Sequence, residues 1–352
     1  MIGIKYVGLD VHKATISVAV LNLDGILVTQ AVIQTQANTI CDFLSGLSGQ
    51  VHLAFEEGTH SQWLSELARP LVANLVVCNA KHSSSVGNKS DKADALKLAQ
   101  YLRAGLLKPV YHGSASTQAL KQMAHNYDSI TSDTTRVMNR IKSLFRSRGV
   151  GCSGMDVYYT RNRQEWLDKL TEEGMRLRAE FLYRQLDHLR PLRRDAKKEL
   201  VKEAQRHPAF KRLCDVHGLG PVRVAQIIAA VGSPHRFRTK RQFWAYCGLA
   251  VVTRSSSDYE LVGSGLQRRP KGTQTRGLNR EFNHRLKRAF KSAALEALKE
   301  DSIKKIYTRI TEKGIRSEMA LLTIARKLAA VALAIWKSGE EFDERKLTKQ
   351  AA

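Results

Sequence analysis

Four acidic residues within the first hundred positions have the types and spacing of a cation-binding centre. Asp10 closes the apolar run Ile4-Lys5-Tyr6-Val7-Gly8-Leu9, which reads as a buried strand carrying an acid to its tip. A second run, Val51-His52-Leu53-Ala54-Phe55, ends at Glu56, with the neighbouring Glu57 as an alternative second acid. Asp91 and Asp94 stand three apart at the start of a helical pattern, so both side chains project from one helical face. Converging carboxylates repel one another, and their pKa values rise unless a cation is present. Such hard oxygen donors suit Mg²⁺ or Mn²⁺, and two ions of this kind clamp the attacking and leaving oxygens of a phosphodiester. Taken singly, each acid reads as a helix cap or a solvated surface group, Asp91 as the N-cap of its own helix. The set is what points to metal-dependent phosphodiester chemistry.

The elements that must position these acids follow from the hydrophobic periodicity. Residues 3–9, 15–22 and 25–33 read as a meander of strands with a turn at Asp24-Gly25. A helix at 37–48, a strand at 51–56, a helix at 60–70, a strand at 74–79 and a helix at 91–104 follow, an alternation that requires parallel crossovers. A mixed α/β sheet with acids at its strand ends is what a ribonuclease-H-like fold requires, and it is assigned to residues 1–112. Across 113–206 the strand signal disappears. The stretches 116–147 and 162–206 predict long paired helices, a coiled-coil arm that dimerises; a solvated helical spacer is the plainer reading.

Residues 207–345 predict a mainly α-helical domain. His217-Gly218-Leu219-Gly220-Pro221-Val222 resembles a helix-hairpin-helix turn, whose glycines let backbone N–H groups approach a phosphate. By composition alone, Ser255-Ser256-Ser257 reads as a flexible turn. The run from Met319 to Trp336 is long enough for a membrane span, but Arg326-Lys327 at its centre make it a buried core helix.

Charge narrows the partner. The chain holds 57 Lys+Arg against 33 Asp+Glu, a formal charge of +24. Residues 1–110 contribute nine basic and eight acidic residues, so +23 lies beyond the acid-bearing segment. Such an excess signals a polyanion. Across 266–291 nine basic residues face one acid, Glu281. Arg268, Arg269, Lys271, Arg276, Arg280 and Arg285 are the expected backbone clamps, joined by Arg238, Lys240 and Arg241, which interleave with aromatics. Five scattered cysteines without a CxxC pair argue against a zinc site or a disulfide framework and fit a reducing cytoplasm. Lys5 and Asp10 interrupt the opening apolar stretch, so no signal peptide is expected.

Gly8-Leu9-Asp10-Val11-His12-Lys13, Phe55-Glu56-Glu57-Gly58-Thr59 and Asn88-Lys89-Ser90-Asp91-Lys92-Ala93-Asp94-Ala95 resemble the three acidic motifs of the DEDD insertion-sequence transposases. That group includes the Piv/MooV DNA invertases and is also called the bridge recombinases. Phe237 to Ala250, with the serine cluster and Arg276-Gly277-Leu278-Asn279-Arg280, resembles that family's serine-bearing domain. The resemblance implies a RuvC-like first domain binding metal through Asp10, Glu56, Asp91 and Asp94. It implies a serine nucleophile at Ser256, with Ser255 as the alternative, since Ser257 stands where many relatives have glycine. It further implies donor and target DNA as substrates, an element-encoded noncoding guide RNA, and a prokaryotic, nucleoid-associated dimer or tetramer. A water-using RNase-H-like junction nuclease is the alternative class. An actin-like sugar kinase shares the Gly8-Leu9-Asp10 strand and Asp24-Gly25 turn but leaves the basic half unexplained.

Overall fold

Apolar residues at every second position build a five-stranded sheet at the start of the chain. The structure, a computed structural model, describes residues 3–79, 90–111, 115–254, 259–262, 265–268, 274–279 and 281–345. The chain divides into two compact units, Met1–His112 and Gly113–Ala352.

In the first unit, β1 (Ile4–Val11), β2 (Thr15–Leu21) and β3 (Leu27–Gln34) form an antiparallel meander. After α1 (Ala37–Ser45), β4 (Gln50–Glu56) joins β1 in parallel. After α2 (Ser61–Ala68), β5 (Asn74–Cys78) joins β4 in parallel. The strand order is β3-β2-β1-β4-β5. This is the expected order of elements, with ends moved by a few residues. Val7, Leu9, Ile16, Val18, Leu53, Phe55 and Val77 form one face of the sheet and share a core with Ile40 and Leu44 of α1 and Leu64 of α2. Burying each such side chain stabilises the unit by about 1.5–3 kcal/mol.

The opposite face carries α3 (Asp91–Arg103), which packs on β1, β2 and β4. Gly8 makes that packing possible. A Cβ there would lie 2.1 Å from the Ala95 carbonyl oxygen and 2.6 Å from the Ala99 amide nitrogen. Two polar ties fix the helix further: the Gln30 side chain donates to Lys92 O at 2.9 Å and Arg103 to Leu23 O at 3.3 Å.

The second unit is mostly helical. It comprises α4 (Ala115–Arg146), α5 (Arg163–Leu167), α6 (Glu173–Gln205), α7 (Phe210–Cys214), α8 (Pro221–Val231) and α9 (Lys240–Tyr246). Short strands follow, β6 (Val251–Arg254), β7 (Tyr259–Val262), β8 (Gly265–Arg268) and β9 (Gln274–Leu278), then α10 (His284–Ala297), α11 (Asp301–Glu312) and α12 (Ser317–Ser338). The expected long helices pair with each other inside the chain, as an antiparallel hairpin. Leu120 and Ala124 share a core with Leu200 and Ala204, whereas Val137, Ile141 and Phe145 share another with Ala179, Leu182 and Leu186. The first of these cores continues into α8, α10 and α12 through Ile228, Phe290 and Leu328.

Two antiparallel ribbons, β6 with β9 and β7 with β8, are additions to the helical expectation. α12 has the length and apolarity of a membrane span, yet most of it is buried in the core. Its central Arg326 donates to Leu249 O at 2.6 Å, while Arg326 O accepts from the Trp244 indole at 2.9 Å, and burial pulls the Arg326 pKa down.

Candidate functional site

Strand alternation decides where the acids point. Because Leu9 and Phe55 face α1 and α2, Asp10 and Glu56 stand on the other face, the one α3 covers. Leu9 pairs with Phe55 across the parallel ladder, so these acids end adjacent strands. Glu57 lies just past the strand end, exposed, with its backbone N–H donating to Cys78 O at 2.7 Å.

α3 brings its first turn to the same edge. Its N-cap is Ser90, whose hydroxyl accepts from Ala93 N at 3.3 Å. The capping reading of Asp91 is thereby corrected: Ser90 takes that position, and Asp91 and Asp94 occupy the first turn. Asp91 lies within 3.5 Å of His12 Nε2, and the same nitrogen lies 3.1 Å from Asp10. One ligand atom each from Asp10, His12 and Asp91 come within 4.8 Å of one another.

Burial holds the Asp10 carboxyl above its ordinary value; His12 opposes the shift, and the charges of Asp91 and Asp94 add to it. Asp94 is therefore within electrostatic reach of Asp10, though outside the three-residue group. Glu56 also lies outside that group, beside Cys78, whose thiol is pushed up to about 11 by burial and then by the Glu56 charge. A cavity of about 580 Å³ opens alongside, lined by His12, Lys13, Glu56 and His60 among others. A half-buried carboxyl raised by burial and, further, by neighbouring carboxylates is a site that a divalent cation relieves, and the oxygen donors fit Mg²⁺ or Mn²⁺.

His12 was not singled out by sequence reasoning. The available signal was its spacing: two residues beyond Asp10 at a strand end, it returns to the Asp10 side.

In the second unit the nucleophile candidates, Ser255, Ser256 and Ser257, lie outside the described residues, as do Arg269, Lys271 and Arg280. Arg268 and Arg276 are on β8 and β9. Arg238, Lys240 and Arg241 are exposed at the start of α9, where Thr239 and Gln242 form a capping box. Arg285, also expected as a clamp, has a partner inside the fold: its Nε donates to Asp128 at 2.6 Å. The glycine turn also has a packing reason. Gly218 has φ +75°, and a Cβ there would lie 2.2 Å from Ala293 O on α10.

Two family models match the chain. Residues 7–148 match a DEDD transposase model of the IS110 type, described as "Transposase". Residues 210–308 match "Transposase IS116/IS110/IS902 family". Among curated proteins, the chain is similar to "Transposase for insertion sequence element IS1533" from Leptospira borgpetersenii, 26% identical over 178 residues. That alignment covers 47% of this chain and 50% of the relative. It is also similar to "Probable family 20 transposase" from Pseudomonas aeruginosa, 25% identical over 183 residues, covering 51% of this chain and 54% of the relative. The chain thus spans about half the length of the curated relatives it matches.

Proposed function

We propose that this chain, which carries DEDD and IS116/IS110/IS902 transposase domains, is the transposase of an insertion sequence, cutting and rejoining DNA. The observation that carries the reading is the convergence of Asp10, Asp91 and His12 at a strand tip, with Asp94 adding its charge to a carboxyl already raised by burial. The first unit's meander and two parallel strands, with acids at the ends of β1 and β4, support an RNase-H/RuvC-like domain.

Asp10, Glu56, Asp91 and Asp94 would hold Mg²⁺ or Mn²⁺. When bound, the ions supply positive charge that orients the scissile phosphate and stabilises charge developing on it. Ser256 supplies the nucleophile, because a conservative recombinase must keep the broken strand attached. Its Oγ forms a bond to phosphorus as the bond to the departing strand oxygen breaks, and the serine proton passes through a carboxylate to that oxygen. The released hydroxyl end, or another like it, reverses the step during rejoining.

Acids and serine are some 160 residues apart in sequence, so the reaction requires them to meet on one phosphate, within a chain or between subunits of a dimer or tetramer. Arg238, Lys240, Arg241, Arg268, Arg269, Lys271, Arg276 and Arg280 grip backbone phosphates of DNA and of a noncoding guide RNA. A cytoplasmic, nucleoid-associated location follows from these partners.

The test is to trap adducts on end-labelled DNA under denaturing conditions. Ser256→Ala and Asp10→Asn each lose the adduct and strand exchange while keeping nucleic-acid binding; Ser255→Ala and Ser257→Ala are milder. An adduct that survives in Ser256→Ala but vanishes in Ser255→Ala moves the nucleophile by one residue. An active parent protein that forms no adduct is a water-using nuclease instead.

A further inference from the structure

The second unit holds a cavity of about 930 Å³ among α4, α6, α8 and α10, which takes Arg288 and Ala289 from the basic 266–291 stretch and is unassigned by the transposase reading. Each of the four helices contributes a cation to its wall: Arg136, Lys197, Arg223 and Arg288. Gathering like charges around one space costs stability unless an anion enters.

Among the described residues the cavity has one acidic lining side chain, Asp128, and it is already engaged. Its carboxylate accepts from Gln226 at 2.7 Å and from Arg285 at 2.6 Å, and Arg288 lies at 3.3 Å. Among the described residues Arg136 pairs with Asp133 alone, 2.9 Å away, an exposed pair of the kind that contributes little.

Arg223 is held in place before any ligand arrives. Its Nε donates to Ser292 Oγ at 2.9 Å and its Nη1 to Gly218 O at 3.0 Å. The same wall contains the start of the 11-residue α8, with Gly220 as N-cap and Pro221 in the first turn. Amides of a first helical turn lack intrahelical partners, and the helix dipole favours negative charge there. The half-buried Tyr127 ring adds a surface on which a base or sugar can stack. The volume lies within the range of ligand clefts and exceeds what a lone phosphate fills.

We infer that this cavity seats a phosphate, with its attached nucleotide, of a nucleic-acid strand bound by the second unit. The inference rests on the transposase reading for its partner and adds a binding site that reading does not contain. DNA and RNA share the phosphodiester chemistry, so the experiment runs both.

The full chain is titrated with fluorescein-labelled duplex DNA and with single-stranded RNA at several salt concentrations. Arg136→Gln with Lys197→Gln, both exposed, is compared with a charge-matched control, Lys211→Gln with Lys305→Gln, also exposed. The cavity pair weakens binding and lowers the salt slope by ~0.9 for each phosphate no longer neutralised on duplex DNA, or ~0.7 on a single strand; the control pair does not. In the unaltered protein, bound nucleic acid protects Lys197 from chemical acetylation and leaves Lys305 reactive. Whichever polymer protects Lys197 is the occupant. A saturated complex in which Lys197 stays reactive, or a control pair that lowers the slope equally, overturns the cavity assignment and leaves the transposase reading standing. A parent protein without salt-dependent nucleic-acid binding overturns both.

Discussion

Gly8→Ala tests whether the close approach of α3 to the sheet builds the acid centre. The added Cβ would meet Ala95 O at 2.1 Å, Ala99 N at 2.6 Å and Leu98 Cβ at 3.0 Å. Two of these are backbone atoms of a helix, which cannot swing aside as a side-chain tip can. Ordinary van der Waals separation near ~3.5 Å requires α3 to retreat by about 1.4 Å at Ala95. Its buried residues Ala95, Leu98, Ala99 and Leu102 then draw away from β1 and β2 together. Overpacking of this kind costs about 1–3 kcal/mol, and the backbone clash puts Gly8→Ala at the upper end. For a unit of this size that is a fall on the order of 10 °C in Tm.

The functional effect follows from the same movement, because Asp91 and Asp94 travel with α3 while Asp10 stays on β1. Calorimetry with and without Mg²⁺ or Mn²⁺ reads both effects: Gly8→Ala melts lower and loses most of the ion-induced rise. Gly58→Ala is the control, since nothing lies within 4 Å of a Cβ there. A Gly8→Ala protein that melts within two or three degrees of the parent, roughly 0.5 kcal/mol for a unit of this size, and keeps its ion response refutes the argument.

Three further outcomes are expected. The raised Asp10 pKa makes its ionised form a cost to the ion-free fold; the cost sets in as pH rises past 3.8 and is complete above the raised value. In EDTA at neutral pH, Asp10→Asn therefore melts above the parent, and a lower Tm would show that Asp10 stabilises the apo fold. Replacing Arg268, Arg269 and Lys271 with Ala lowers the salt slope of duplex-DNA binding by ~0.9 for each phosphate left without its cation, whereas an unchanged slope marks the run as a solvated face. Ser90→Ala removes the α3 cap and costs about 1 kcal/mol by denaturant titration, and no loss would mean the cap contributes nothing.

The acid-bearing unit was legible because local patterns specify it. Apolar runs gave β1 and β4, and each run ended at the acid it presents. The three-residue spacing of Asp91 and Asp94 implies one helical face, and both lie in the first turn of α3. What escaped was set by partners distant in sequence. Gly218 read as a phosphate-loop glycine, but its requirement comes from the backbone of Ala293, far along the chain. Arg285 read as a clamp within a basic run, yet Asp128, 157 residues earlier, holds it. β6 to β9 are strands of four or five residues with little apolar alternation, too short for periodicity to reveal.

The same distinction separates two kinds of basic residue in the second unit. A count of charges treats Arg285 and Lys240 alike, but they differ physically. Arg285 is half-buried and its Nε is bound to a carboxylate that also accepts from Gln226, so removing it leaves Asp128 with less compensation. Lys240 is exposed, its ammonium 5.7 Å from the Trp244 ring centroid, and its removal costs the fold little. Arg285→Ala should therefore lower Tm with little loss of affinity in the folded protein, whereas Lys240→Ala should lower affinity alone. Measuring Tm beside affinity for each basic substitution thus sorts cations that hold the fold from cations that hold nucleic acid. If Arg285→Ala left Tm unchanged and weakened binding as Lys240→Ala does, the Asp128 pair would be structurally idle and Arg285 would return to the clamp set.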